Sequence, residues 1–290
     1  MSRALKAELA PWLVRRLPPP GQMARVSRLL DRGRLGTVCV SAQCPNLCEC
    51  FGRGVATFLI LGPNCTRSCR FCAVPKGPPA PPAPDEPLRV AQAAAELGLK
   101  YVVVTSVTRD DLPDGGAGQF AAVVRELKRA IAGVKVELLV PDFGGSEAAL
   151  ATVLEAGPDV LAHNVETVPR LQRLLRPGAS WSRSVGLLAR AREAAPGVVI
   201  KSGLMLGVGE QPQEVEQAMA ELREAGCEIL TLGQYLAPSS SHLPVARYVP
   251  PQEFERLRQI GLEMGYKFVA SGPYVRSSYL ADKAWKASSS

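Results

Sequence analysis

From residue 55 onward the chain alternates two hydrophobic patterns. Short runs rich in Val, Ile, Leu and Thr are separated by longer stretches in which apolar positions return every three or four residues. The short runs predict buried strands at 56–61 (ATFLIL), 101–105 (YVVVT), 134–139, 159–163, 198–202, 228–232 and, shortest, 268–271. The longer stretches predict helices over 88–97, 119–131, 147–155, 183–194, 214–224 and 251–264. Alternation at this spacing implies parallel strands joined by right-handed crossovers, and so an α/β fold. The units amount to a partial (β/α) barrel of about six parallel strands.

The pattern divides the chain into an N-terminal extension (1–54), the barrel (55–271) and a C-terminal segment (272–290). Within the extension, helices are predicted over 4–16, ended by Pro18-Pro19-Pro20, and over 22–32. The stretch 39–50, CVSAQCPNLCEC, reads as an irregular loop, too short for a strand or a helix. The Pro-rich piece 77–87 is an extended crossing segment.

In a barrel of this kind the chemistry sits at the C-terminal ends of the strands. The polar residues there are Thr105, Ser106, Arg109 and Asp110, then His163, Asn164, Glu166 and Thr167, then Lys201 and Ser202, and last Gly233 and Gln234. They are expected to converge on one mouth above a cysteine loop. Thr105, Ser106, Asn164, Glu166 and Lys201 are the candidates for binding a cofactor. Each taken alone is equally a cap or a turn residue. The glycine-rich LGVGE (206–210) lacks the dinucleotide-binding spacing and is expected to bring backbone close to a ligand.

Composition narrows the class. With 47 % hydrophobic and 21 % charged residues the chain is that of a folded globular protein. No apolar run of about 18 residues predicts a membrane span, and the first residues carry no secretory core. The formal charge of +7 is spread along the chain, which suits a solvated surface or an acidic partner better than a nucleic-acid groove. Seven of the eight cysteines fall between Cys39 and Cys72, a clustering that suits metal binding in a reducing, cytoplasmic setting.

The densest chemistry is NCTRSCRFCA (64–73), where Cys65, Cys69 and Cys72 are separated by three and then two residues. Thiolates bind soft ions and iron–sulfur clusters. A zinc knuckle wants a fourth ligand, and the only histidines, His163 and His242, are distant in sequence. Three cysteines on a four-iron cluster leave one iron open to an outside ligand. The spacing, with Phe71 before Cys72, resembles the radical S-adenosylmethionine signature. In that superfamily the open iron chelates S-adenosylmethionine, and the reduced cluster cleaves it to a 5′-deoxyadenosyl radical. Upstream, Cys39, Cys44, Cys48 and Cys50 read as a second cluster loop, and spacing alone does not choose among them.

Together the two cysteine runs resemble the lipoyl synthase family. The likeness continues through TSVTRDDLPDGGA (105–117), HNVETVPRL (163–171), KSGLMLGVGE (201–210), LTLGQYLAPSSSHLPVARYVPPQEF (230–254) and RSSY (276–279). The resemblance implies two 4Fe–4S clusters in a partial barrel. Cys65, Cys69 and Cys72 match the ligands of the radical-generating cluster. Cys39, Cys44 and Cys50 match those of an auxiliary cluster, and Ser278 matches its fourth ligand. The N-terminal and C-terminal extensions are then expected to meet over the barrel mouth. The implied reaction inserts two sulfur atoms, from the auxiliary cluster, at C6 and C8 of an octanoyl chain carried on a lipoyl domain. The implied partners are that acidic octanoylated carrier domain, a reducing electron donor and an iron–sulfur carrier that rebuilds the cluster. The sequence departs from the family at Val40 and Ser41, where acidic residues are usual, and Cys48 is an additional thiol.

Two other readings compete. Among radical S-adenosylmethionine enzymes that insert sulfur, biotin synthase lacks this N-terminal triad, and a tRNA methylthiotransferase needs an appended RNA-binding domain, for which eleven residues after Tyr279 leave no room. A two-cluster electron carrier needs neither an open iron nor a barrel of this size.

Overall fold

The computed structural model describes residues 10–13 and 23–288. One eight-stranded sheet runs in strict sequence order, from β1 to β8. The short β1 (Gly36–Thr37) pairs antiparallel with β2 (Thr57–Ile60). Parallel pairing then links β2 to β3 (Tyr101–Ser106), β4 (Lys135–Leu139), β5 (Val160–Ala162), β6 (Val199–Leu206), β7 (Ile229–Gln234) and β8 (Phe268–Gly272). Among the described residues β1 and β8 are free edges, so the curled sheet is a barrel left open, and its seven parallel strands correspond to the seven runs read from the sequence.

Alternate strand positions face opposite ways, which separates two environments. Val102, Val104, Val136, Leu138, Ile200, Leu230 and Leu232 join the hydrophobic core under the outer helices. Those helices are α4 (Glu86–Glu96), α5 (Ala117–Ala130), α6 (Glu147–Glu155), α8 (Trp181–Ala194), α9 (Pro212–Glu224) and α10 (Pro251–Glu263). Their starts carry local signals. Ser146 and Ser180 accept a backbone N–H from the third residue of α6 and α8, and Pro212 opens α9 within a capping box. A one-turn helix, α7 (Gln172–Leu175), follows β5.

The inner face holds polar groups. Low in the barrel, Glu137 of β4 accepts from Lys201 Nζ at 2.7 Å and from the Tyr101 hydroxyl at 2.6 Å, with both charged side chains 1 % exposed. Two residues further along the same strands, Leu139 and Gly203 line a cavity that opens upward.

The N-terminal extension differs from its reading. Helix 22–32 is found as α1 (Ala24–Gly33), which buries Val26, Leu29 and Leu30. The helix expected over 4–16 lies outside the described residues, except for a 3-10 turn at Pro11–Leu13. The stretch 39–50 is not an irregular loop. It folds as two short helices, α2 (Val38–Ser41) and α3 (Leu47–Gly52). Thr37 caps α2 through the Cys39 N–H, Cys44 N–H bonds the Cys39 carbonyl, and buried Phe51 anchors α3. At the other end an unforeseen α11 (Ala281–Ser288) follows Leu280. Its Trp285 ring lies 6.2 Å from the Tyr101 ring and 5.0 Å from Lys135 Nζ, at the start of β3 and β4. No helix among the described residues is long and apolar enough to cross a membrane.

Candidate active site

The first cysteine triad sits in the loop after β2. Leu61 and Gly62 both take positive φ, 69° and 90°, and turn the chain out of the strand. The loop closes on itself, with Cys65 N–H on the Pro75 carbonyl and Gly77 N–H on the Cys65 carbonyl. The loop after β3 braces it. Thr66 N–H reaches the Thr108 carbonyl, and Thr108 N–H points at Cys65 Sγ across 3.4 Å. Arg67 N–H adds a second contact to that sulfur at 3.5 Å. Backbone donors aimed at sulfur favour the thiolate and tune a cluster bound there. The Arg67 side chain is gripped by Asp110 and by fully buried Asp142, each at 2.7 Å. Arg109 is 1 % exposed and bonds Asp111 and the Leu61 carbonyl. The motif around Arg109 and Asp110 therefore holds the cysteine loop in place; it does not line the cavity.

The second triad lies on α2, the turn after it and α3, and the C-terminal segment is tied to the same piece of chain. Asn46 Nδ2 donates to the Tyr274 carbonyl at 2.7 Å, and Tyr279 donates to Glu49 at 2.9 Å. Tyr274 also bonds the Leu13 carbonyl. Gly233 makes this approach feasible, since a Cβ there would stand 2.1 Å from the Val275 carbonyl oxygen.

These pieces enclose one cavity of about 410 Å³. Cys72 of the first triad, Cys39 and Cys44 of the second, and Ser278 of the tail all line it, with Asn164 and Glu166 after β5. Phe71, Leu139, Met205, Tyr235 and Leu236 supply apolar wall. Asn164 Nδ2 donates to Glu166 at 3.1 Å, and Ser277 donates to Asn164 Oδ1 at 3.0 Å, so the tail is fastened to the strand ends as well. Glu166 holds positive φ, 67°, an uncommon conformation for a residue with a side chain that concentrates at functional sites.

Other expected binding residues are placed elsewhere. Lys201 is spent on Glu137 low in the barrel, because a buried ammonium needs a carboxylate. Thr105 donates to the Leu139 carbonyl within the sheet, and neither it nor Ser106 lines the cavity. The Ser106 hydroxyl is buried and has no hydrogen-bond partner among the described residues. His163 turns toward α8, with Nδ1 on the Val140 carbonyl and Nε2 on Ser184. In LGVGE the backbone closes on Gln234 and the Arg247 carbonyl, none of its five residues lines the cavity, and Glu210 binds the Gly207 and Val208 N–H groups. Cys50, Cys65 and Cys69, the other members of the triads, do not line the cavity. Buried Arg176, bonded to the Val165 carbonyl, carries no local sequence signal of its position near Cys69 and Glu166.

The thiols are costly where they stand. Burial, and then the nearby Cys39 and Cys44, push the Cys50 thiol up to about 12. Burial pushes Cys72 up to about 11 and raises Cys44 and Cys69 as well. A coordinated iron reverses that preference, because a metal-bound thiol gives up its proton. Among the described residues no three His, Cys, Asp or Glu side chains close on a single metal ion. A four-iron cluster makes no such demand, since each thiolate takes a separate iron. Crowded thiols with N–H···S contacts fit an iron–sulfur group.

The fold also matches solved structures of other proteins. Methylornithine synthase aligns over 88 % of this chain and 84 % of its own with a TM-score of 0.55 at 16 % identity. Streptococcus suis SuiB bound to S-adenosylmethionine aligns over 78 % and 54 % with a TM-score of 0.60 at 11 % identity. At such identities the likeness speaks for the fold alone. The Radical SAM superfamily profile matches residues 59–228, and the chain belongs to that superfamily. Its sequence is 56 % identical to the lipoyl synthase of Caldanaerobacter subterraneus over 89 % of this chain and 90 % of that one. It is 54 % identical to the lipoyl synthase of Trichlorobacter lovleyi over 96 % and 99 %. Within the superfamily the chain is a member of the lipoyl synthase family, radical S-adenosylmethionine sulfurtransferases that use a 4Fe–4S cluster.

Proposed function

We propose that the chain makes the lipoyl group on a carrier protein by inserting two sulfur atoms at C6 and C8 of a bound octanoyl chain, using two four-iron clusters that face one cavity. The observation that carries this reading is that single cavity, bounded by Cys72 from one triad and by Cys39, Cys44 and Ser278 from the other set. Cys65, Cys69 and Cys72 hold the radical-generating cluster. Cys39, Cys44 and Cys50 hold the auxiliary one, with Ser278 as a fourth, weaker ligand. When bound, these groups supply a 5′-deoxyadenosyl radical from S-adenosylmethionine and sulfide for insertion.

The protein's own residues position and seclude. Unactivated C–H bonds offer no acidic proton, so no side-chain base can open them, and the chain contributes orientation and exclusion of water. Asn164 and Glu166 are set to bind polar groups of S-adenosylmethionine at the cavity wall. Phe71, Leu139, Met205 and Leu236 give the acyl chain an apolar path. The three segments 1–54, 55–271 and 272–290 divide the work into auxiliary site, barrel and closing strap. An acidic lipoyl domain suits the net charge of +7. A reducing electron donor, an iron–sulfur carrier that replaces consumed sulfide and a cytoplasmic setting complete the reading.

Anaerobic reconstitution tests it. About eight irons per chain are expected for two four-iron clusters. Reconstituted protein given S-adenosylmethionine, dithionite and an octanoylated lipoyl domain is expected to release 5′-deoxyadenosine and form lipoyl domain. Saturation at about four irons together with lipoyl product would overturn the two-cluster assignment.

A further inference from the structure

Beside the large cavity lies a second, polar recess of about 330 Å³, walled by Arg70, Cys72, Val74, Lys76, Ser241 and His242. The two hollows share only Cys72 and Ala73. Three stretches of chain meet at the recess. Arg70 N–H bonds the Leu175 carbonyl at the end of α7 at 2.9 Å, and Leu243 N–H bonds the Arg70 carbonyl at 3.1 Å. Arg70, Lys76 and Arg173 are exposed, and Leu174 beside them is 43 % exposed. No Asp or Glu occurs in 68–76, 172–178 or 239–249. Elsewhere on this surface arginines pair with carboxylates, as Arg170 does with Glu214 and Arg256 with Glu216. Arg70, Lys76 and Arg173 form no ion pair among the described residues.

The result is a concave cationic face, with one apolar side chain at its edge, whose back wall is a thiol of the first triad. We propose that this face docks an acidic one-electron carrier protein, which reduces the group held by Cys65, Cys69 and Cys72; the inference rests on the cluster assignment above. Uncompensated cations beside an exposed leucine suit an acidic protein partner. Position favours a redox donor over the octanoylated domain. The acyl arm has to enter the large cavity, whose exposed lining residues Gln43, Pro45 and Ala237 are not part of this face. An electron needs only a short distance. In the step the carrier's cofactor gives up one electron, the group behind Cys72 gains it, and no proton or bond is transferred.

The test uses the reconstituted full chain, a reduced acidic plant-type ferredoxin of low potential as the probe, and the double variant Lys76→Glu/Arg173→Glu. Lys100→Glu, at the opposite end of the barrel, serves as the charge control. The double variant is expected to weaken ferredoxin binding, read by calorimetry, and to raise the KM for ferredoxin, each roughly tenfold or more, while Lys100→Glu changes both little. Wild-type binding should weaken with added salt. Dithionite-driven 5′-deoxyadenosine formation and affinity for the octanoylated lipoyl domain should match wild type in the double variant. Unchanged ferredoxin binding overturns the proposal, as does an equal loss of lipoyl-domain affinity, which would give the face to that partner. Should dithionite fail to drive cleavage even in wild type, the cluster assignment falls, and the calorimetric arm still decides the docking face.

Discussion

Tyr279 donates its phenolic hydrogen to Oε1 of Glu49 across 2.9 Å, joining residues 230 positions apart. One belongs to the tail that carries Ser278, the other to the helix that carries Cys50. The bond sets the distance between a thiolate-bearing element and a serine that no strand or outer helix holds. Tyr279→Phe keeps the ring and removes the bond, at a cost of about 1 kcal/mol in stability. Lipoyl product per 5′-deoxyadenosine should fall severalfold, because only the auxiliary site is loosened. A variant with an unchanged product ratio would deny the bond that role.

The two triads should separate on mutation. Cys72→Ala is expected to abolish 5′-deoxyadenosine formation. Cys39→Ala is expected to retain it, to hold about four fewer irons and to give no lipoyl product. Iron counts and single-turnover assays on the two variants check the division. Loss of both activities in a folded, four-iron Cys39→Ala protein would show that the triads do not act separately.

Ser278 lines the cavity with Cys39 and Cys44. Ser278→Ala should remove most product while leaving cleavage of S-adenosylmethionine intact. Ser278→Cys should keep the cluster, seen in its Mössbauer or absorption spectrum, and slow sulfur release, since a thiolate holds iron harder than an alkoxide. Full product from Ser278→Ala would exclude the serine as a ligand.

Lys201 and Glu137 form a buried pair that Tyr101 completes. Lys201→Met leaves the carboxylate without its cation, a change worth roughly 3–5 kcal/mol. The double variant Lys201→Met/Glu137→Gln should recover much of that loss in urea denaturation. Affinity for S-adenosylmethionine in the folded single variant should stay near wild type. A large fall in that affinity with stability unchanged would return Lys201 to the binding site.

His163 is buried and neutral, and burial, followed by the Arg176 charge, pushes its pKa down to about 4. The Val140 carbonyl can only accept, so Nδ1 carries the proton and Nε2 accepts from Ser184. The folded value lies below the unfolded one of about 6.5, so the stability linked to neutral His163 is complete above about pH 6.5 and is lost as pH falls toward 4. The loss reaches about 3 kcal/mol. His163→Gln, which does not titrate, should show a shallower decline in denaturation midpoint between pH 7 and pH 4.5. Equal slopes in the two proteins would show that His163 does not set the acid limit.

The sequence by itself determined the strands, the outer helices and their parallel order, because each follows from a local hydrophobic period that burial on both faces of a sheet enforces. It also placed Cys65, Cys69 and Cys72 in the loop after the first parallel strand, since three thiols so close together have few other uses. Only the tertiary structure decided which polar strand-end residues face the cavity. Lys201 and Glu166 read alike in the chain, yet one neutralises Glu137 below the cavity and the other lines it, a choice made by strand register and by the cost of an unpaired buried charge. The helices that present Cys39 and Cys50 were hidden because each is too short to show a period. The seat of Ser278 was implied by the family resemblance and by no local pattern. It depends on Gly233 clearing space for Val275, on Asn46 and Glu49 reaching Tyr274 and Tyr279, and on Trp285 meeting Tyr101 at the far end of the barrel. Contacts between residues 42 to 230 positions apart leave no trace in a local pattern.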